Sequence, residues 1–142
     1  MPDVAEELIQ LAQKKLKGNW LFGGGSGRFE DASDLYIKAG NMLKMAKKCP
    51  FLSLSLAFLM HDEGKEAGDA FVQSADCLTK AQSRHEAATN FVQAANCYRK
   101  VNARDAVEKL QEAVSIFTEL GRFSIAAKHQ KEIAEIYEGA YH

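Results

Sequence analysis

Little in this sequence bends or staples a chain. Its 142 residues hold two prolines, at 2 and 50, and three cysteines, at 49, 77 and 97. Proline cannot sit inside a helix, so its scarcity leaves long helices unobstructed. Three cysteines without metal-ligand spacing make neither a disulfide framework nor a zinc centre, and fit reduced thiols in a cytoplasmic protein. Charge of one sign is missing as well. With 18 basic and 19 acidic side chains the formal charge is −1, so no bulk positive field favours nucleic acid. The longest apolar run, "FLSLSLAFLM" at 51–60, falls far short of the roughly 20 residues of a membrane-spanning helix. The opening "MPDVAEELIQLAQKK" has neither the basic nor the apolar region of a secretory signal, and no lipidation motif is visible. A hydrophobic fraction of 46% argues against disorder, and the length suits one domain, 1–142.

What the chain does hold is a repeat. Five stretches share a pattern: "FEDASDLYIKAGNMLKMAK", "GKEAGDAFVQSADCLTKAQ", "RHEAATNFVQAANCYRKVN", "ARDAVEKLQEAVSIFTELG" and "RFSIAAKHQKEIAEIYEGA". Each is anchored on one alanine: Ala32, Ala67, Ala87, Ala106 and Ala126. Four residues on stand Tyr36, Phe71, Phe91, Leu110 and, as the exception, Gln130. Eight on stand Gly40, Ala75, Ala95, Val114 and Ala134, and eleven on Leu43, Leu78, Tyr98, Phe117 and Tyr137. Offsets of 0, 4, 8 and 11 trace one face of an α-helix. Small residues at two of the offsets admit a neighbouring helix closely, and large ones at the other two fill the gaps. No such helix buries its apolar face alone; stacked antiparallel hairpins do. The last four anchors are spaced by 20, 19 and 20 residues, so a pair of helices recurs about every 40. With a preceding helix over 3–17, the pattern predicts helices over about 29–47, 64–82, 84–101, 103–120 and 123–138. The fold class is all-α: a right-handed solenoid, or twisted sheet, of antiparallel helical hairpins, tetratricopeptide-like. The last helix, 123–138, is expected to stand uncovered and to be an aggregation liability, since solenoids normally end in a polar cap.

One spacing departs from the rest. Ala32 and Ala67 stand 35 residues apart, and the surplus falls on "CPFLSLSLAFLMHDE", 49–63, read as an irregular insertion because it matches no repeat offset. Three readings stand: an extra short helix covering one edge, a membrane or partner contact, or translated intronic sequence. Register favours the third, since without the segment "MAKK" joins "GKEAGDAF" almost in step. A predominant transcript lacking these codons is the expected outcome of sequencing across the junction.

The other motifs carry no chemistry. "GNWLFGGGSGRF" (18–29) lacks the G-x-x-x-x-G-K-[ST] of a phosphate loop, follows no strand, and reads as a mobile apolar connection over 18–28. "HEAAT" lacks the second histidine of a zincin. His61, Asp62 and Glu63 are adjacent and share no helix face. Cys77 and Cys97 occupy the same repeat offset and read as core-edge residues, and His129 has no paired nucleophile. No catalytic residue, metal site or cofactor is expected; the chain is not read as an enzyme.

Several stretches nevertheless resemble a known family. "LFGG" followed by "FEDASDLYIKAGNMLKMAK", then "HEAATNFVQAANCYRKV", "AVSIFTELGRFSIAAKH" and "EIAEIYE" are similar to soluble NSF attachment proteins of the alpha/beta type, over most of 3–138 except 49–63. The resemblance implies an adaptor that binds assembled SNARE four-helix bundles (syntaxin-like) and recruits an NSF-type AAA ATPase in vesicle fusion and intracellular transport. It implies a cytoplasmic protein peripherally attached to membranes, touching the bilayer through Trp20, Leu21 and Phe22; aromatic side chains favour the membrane interface. The alternative, that these three side chains tuck between the first helices, stays open. Lys47, Arg99, Lys100, Arg122 and Lys128 match the family's SNARE-contacting basic positions, and none occupies a core offset. The family's chain runs on about as long again, and that C-terminal part stimulates the ATPase. A chain stopping at "YEGAYH" is expected to lack it and to compete with the complete adaptor. A helical-repeat peptide-binding scaffold with neither membrane nor SNARE role is the other reading.

Overall fold

The repeated alanines decide how closely the helices approach. A computed structural model describes residues 2–18, 25, 27–46 and 54–140. Among them are six helices and no strand: α1 (Pro2–Lys17), α2 (Gly27–Ala46), α3 (Leu54–Lys80), α4 (Arg84–Tyr98), α5 (Ala103–Glu119) and α6 (Phe123–Ala140). Extensive packing is confined to helices consecutive in the chain, as in a solenoid of hairpins. All five anchor alanines are buried, and so are the large side chains four residues on, Tyr36, Phe71, Phe91 and Leu110. Rings enter where Cβ atoms are missing. A Cβ on Gly40 would stand 2.9 Å from Cε2 of Phe71, and one on Gly68 would run into the Tyr98 ring. The α2–α3 and α3–α4 interfaces thus have the same construction, a ring from the later helix seated on a glycine of the earlier.

Two of the turns close in the same way. After α5, Gly121 adopts φ 72°; its N–H donates to the Thr118 carbonyl at 3.0 Å and that of Arg122 to Phe117 at 2.7 Å. After α3, Gln82 adopts φ 64°, with the N–H of Gln82 donating to Thr79 at 3.1 Å and that of Ser83 to Leu78 at 2.9 Å. Both are Schellman closures, standing where the hairpin period puts them. The turn between α4 and α5 differs: Asn102 caps α5, its side chain accepting from the N–H groups of Arg104 and Asp105.

The helix expected at 64–82 begins at Leu54, so most of the segment read as an irregular insertion has helical backbone. Matching to repeat offsets asks whether a residue meets a neighbouring helix, which is a different question from whether it is helical. Leu, Ala and Met are strong helix formers, and an existing helix gains one hydrogen bond for each residue it adds. Residues 49–53, with Pro50, lie outside the described residues.

Cys77 and Cys97 are buried, and neither is in a disulfide. Burial pushes the Cys77 thiol up; Lys80 opposes that and Asp76 adds to it. His129 is buried too, its ring 5.9 Å from that of Phe117 in a stacked arrangement, while His85 meets the same ring edge-on. Both histidines pack against one core phenylalanine.

A left-handed conformation costs a residue with a Cβ about 1–2 kcal/mol that glycine escapes. Gln82→Gly is therefore expected to raise the melting temperature by about 3 °C, and Gly121→Gln to lower it by a similar amount. Thermal melts followed by circular dichroism check both, and equal melting temperatures for all three proteins would contradict the assignment.

Candidate functional site: two docking faces

Consecutive helices alternate between two layers, and the side-chain contacts that skip a helix show which belongs to which. Nζ of Lys44 on α2 lies 3.3 Å from Oε1 of Gln93 on α4. Arg99, capping α4, stands 4.0 Å from Glu135 on α6. Helices α2, α4 and α6 therefore share one face. On the other side a groove of about 810 Å³ runs between α1 and α3, with Tyr36 and Leu43 of α2 in its lining. A second, of about 310 Å³, runs between α3 and α5 with Phe91 of α4.

The even face carries most of the basic residues marked in the sequence. Arg99 is half-exposed and pairs with Glu135. Lys100 stands exposed in the α4–α5 turn, seven residues beyond Gln93 and so on the line of the same helix face. Lys128 is exposed on α6, two turns before Glu135 and on the same side. Arg122 is exposed in the turn before α6, at the opposite edge. Helix α5 has 17 residues, which puts Arg122 about 25 Å from the Arg99–Lys100 turn along the helix direction. The five positions are thus not one cluster: Arg99, Lys100 and Lys128 share a face, and Arg122 borders it. Lys47 lies outside the described residues, as do Trp20, Leu21 and Phe22. Among the described residues, the side chains of Lys100, Arg122 and Lys128 make no ion pair.

Two further lysines belong to this face and were not marked from the sequence. Lys44 stands twelve residues after Ala32, the offset that Arg99 holds after Ala87, so extending the offset rule beyond the core positions finds it. Lys131, exposed on α6, lies 4.0 Å from Glu135. Its signal is only the i, i+4 spacing to a glutamate.

The grooves of the odd side are lined mainly by carboxylates. Glu6, Glu66 and Asp69 line the larger groove, with Lys17 toward one end, and Asp76 and Glu112 line the smaller. A largely covered cation there is already used: Nζ of Lys109 is 2.6 Å from Glu112 and 3.3 Å from Glu108. Burial works against the Lys109 charge, but its bonds and charge contacts with Glu112 and Glu108 outweigh this and hold its pKa above the ordinary value. Partial burial pushes the Asp76 carboxyl up and Glu112 adds to this, against the opposing pull of Lys109 and Lys80. No group of three or more His, Cys, Asp or Glu side chains among the described residues is arranged to hold a metal. None of the helices there is long and apolar enough to cross a membrane.

A carboxyl with a raised folded pKa binds its proton more readily folded than unfolded. Stability is then penalised above the folded pKa, and the penalty fades as pH falls through it toward the unfolded value. Asp76→Asn is accordingly expected to raise the melting temperature at pH 7 by about 1–2 °C, with the gain vanishing below about pH 4. A gain that stays constant down to pH 3 would contradict this.

With both faces described, comparison with known proteins gives a family. The family model for soluble NSF attachment protein, SNAP, matches residues 3–142. Alpha-soluble NSF attachment protein of Homo sapiens is 40% identical over 138 residues, covering 94% of this chain and 42% of the human protein. Beta-soluble NSF attachment protein of Bos taurus is also 40% identical, covering 94% of this chain and 41% of that protein. Vesicular-fusion protein SEC17 of Komagataella phaffii is 34% identical, again over 94% of this chain and 42% of the relative. The chain thus spans about two fifths of the length of these relatives, and it belongs to the soluble NSF attachment protein family.

Proposed function

We propose that this chain docks assembled SNARE bundles through its α2/α4/α6 face, as the SNARE-contacting part of an adaptor that an NSF-type ATPase engages in vesicle fusion. The observation that carries the reading is the set of exposed cations, Lys100, Arg122 and Lys128, that make no ion pair among the described residues of a nearly neutral chain. An unpaired exposed lysine is strongly hydrated, and several of them over one surface attract an acidic bundle through many weak contacts. Docking of that kind is fast and weakens as salt screens it. Lys47 is proposed to extend the surface past the end of α2. Trp20, Leu21 and Phe22 are proposed as a weak, reversible bilayer contact that keeps the adaptor near its substrate, with the protein otherwise cytoplasmic. The named roles are binding ones, and the ATPase supplies the work.

A second reading, a helical-repeat scaffold for peptides without a membrane or SNARE role, is favoured by the large groove between α1 and α3. Co-sedimentation with liposomes, bare and carrying an assembled SNARE bundle, separates the two. The adaptor reading expects bundle-dependent recovery that falls between 50 and 300 mM salt on the order of tenfold. Lys128→Glu should weaken it about five- to tenfold, because an exposed pair contributes up to ~1 kcal/mol and reversal adds repulsion. Replacing Trp20, Leu21 and Phe22 by serine should remove recovery on bare liposomes. Bundle recovery that ignores both salt and Lys128→Glu would sink the proposed face.

A further inference from the structure

The two grooves of the odd face have the same construction yet differ in size, about 810 Å³ between α1 and α3 against about 310 Å³ between α3 and α5. Glu112 in the lining of the smaller is already paired with Lys109. The larger stands open, with Ala5, Ile9 and Leu16 on one wall, Ala70 on the other, and Tyr36 and Leu43 below. Its charges are ordered along its length. Glu6 and Asp69 lie toward the end where α1 begins, and Lys17 at the end where α1 stops. Eleven residues of helix separate Glu6 from Lys17, about 16 Å.

Asp69 is held in place. The Tyr98 hydroxyl donates to its Oδ1 while the Tyr98 ring fills the notch at Gly68. Burial pushes the Tyr98 hydroxyl pKa far up and the bond to Asp69 pushes it further, which keeps that hydroxyl a donor. A carboxylate positioned in this way from the layer beneath presents its second oxygen without first losing side-chain freedom.

We propose that the α1/α3 groove is a second docking site, for an amphipathic helix of a protein partner. That helix carries an apolar stripe, a lysine or arginine at one end, and an acidic residue about eleven positions away. The stripe lies on Ile9, Leu16 and Ala70, the cation meets Glu6 and Asp69, and the acid meets Lys17, which fixes the direction of binding. Helix-in-groove recognition with charges setting orientation is an established mode of binding. The site lies on the opposite face from the proposed SNARE contacts and does not rest on them.

The probe is a fluorescent synthetic 15-residue helix with leucines at i, i+4, i+7 and i+11, lysine at position 2 and glutamate at position 13. Its control carries glutamate at both positions, and binding to the full chain is read by anisotropy. The lysine peptide should bind at least fivefold more tightly than the control, and Glu6→Lys should reverse that preference. Gln73→Trp, which fills the groove from an exposed lining position, should abolish both. Tyr98→Phe keeps the ring and releases Asp69, so it should weaken the lysine peptide two- to threefold and leave the control unchanged. Equal affinity of the two peptides for the parent chain overturns the proposal. So does the absence of binding by either peptide when the chain melts cooperatively.

Discussion

The α2–α3 and α3–α4 interfaces each depend on a large side chain entering a place where its neighbour has almost none. Phe71 lies over Gly40 and Tyr98 over Gly68, and buried alanines line the approaches. Dispersion falls off steeply with separation, so such a contact gains only when the backbones come close, and close approach requires the small residue. The two halves of the contact are therefore useless apart. That interdependence keeps the helices in order along the chain without extensive packing between helices that are not consecutive. It also explains how a stable stack is built from helices of modest individual propensity: α4 holds four alanines but also two asparagines, a threonine and a phenylalanine, and its stability comes from burial on both sides.

Alternation of helices between two layers has an electrostatic consequence. Some outward side chains on even helices meet the next even helix, as Lys44 meets Gln93 and Arg99 meets Glu135. Others reach an adjacent odd helix, as Arg84 reaches Glu119 and Asp31 reaches Lys15. A nearly neutral chain can thus present two faces of different character, cations with few partners on one and carboxylates around grooves on the other. Net charge conceals this arrangement, because it sums over both faces. Lys109 is an instructive case among the cations of the odd side. Its bonds to Glu108 and Glu112 consume its charge and leave it little to offer a partner.

The all-helical class and the packing residues of the first four repeats were legible because they obey a period that can be counted without a structure. In the last repeat the count failed beyond Ala126, for Ala134 and Tyr137 are exposed while His129, Ile133 and Ile136 are buried. The start of α3 was not legible in that way. Residues 54–63 have no counterpart in the other repeats, and a rule built on repetition is silent where nothing repeats. The Gln82 closure was hidden for a different reason: glutamine gives no signal for a left-handed backbone, whereas Gly121 does. Among the basic residues, absence from a core offset identified Arg99, Lys100, Arg122 and Lys128 as outward-facing but did not say which way they face. Facing is fixed by layer, and the layer emerges only when cross-helix contacts such as Arg99 to Glu135 are seen. The groove was hidden altogether, since it is a gap between α1 and α3 whose lining residues stand about sixty positions apart.

Tyr98 ties these levels together. Its ring is part of the packing rule, filling the notch at Gly68, while its hydroxyl reaches Asp69 on the outer side of the same helix turn. Adjacent residues on a helix point about 100° apart, so a ring seated on Gly68 necessarily ends beside residue 69. Closer helix packing brings the hydroxyl further out and fixes the carboxylate more firmly. Phenylalanine would serve the core equally well at this position; the oxygen adds nothing to the apolar contact and must find a partner when buried. That partner stands on the lip of the large groove. The residue that joins α3 to α4 therefore also positions a carboxylate on the face opposite the cations, and one side chain serves both the packing and the groove.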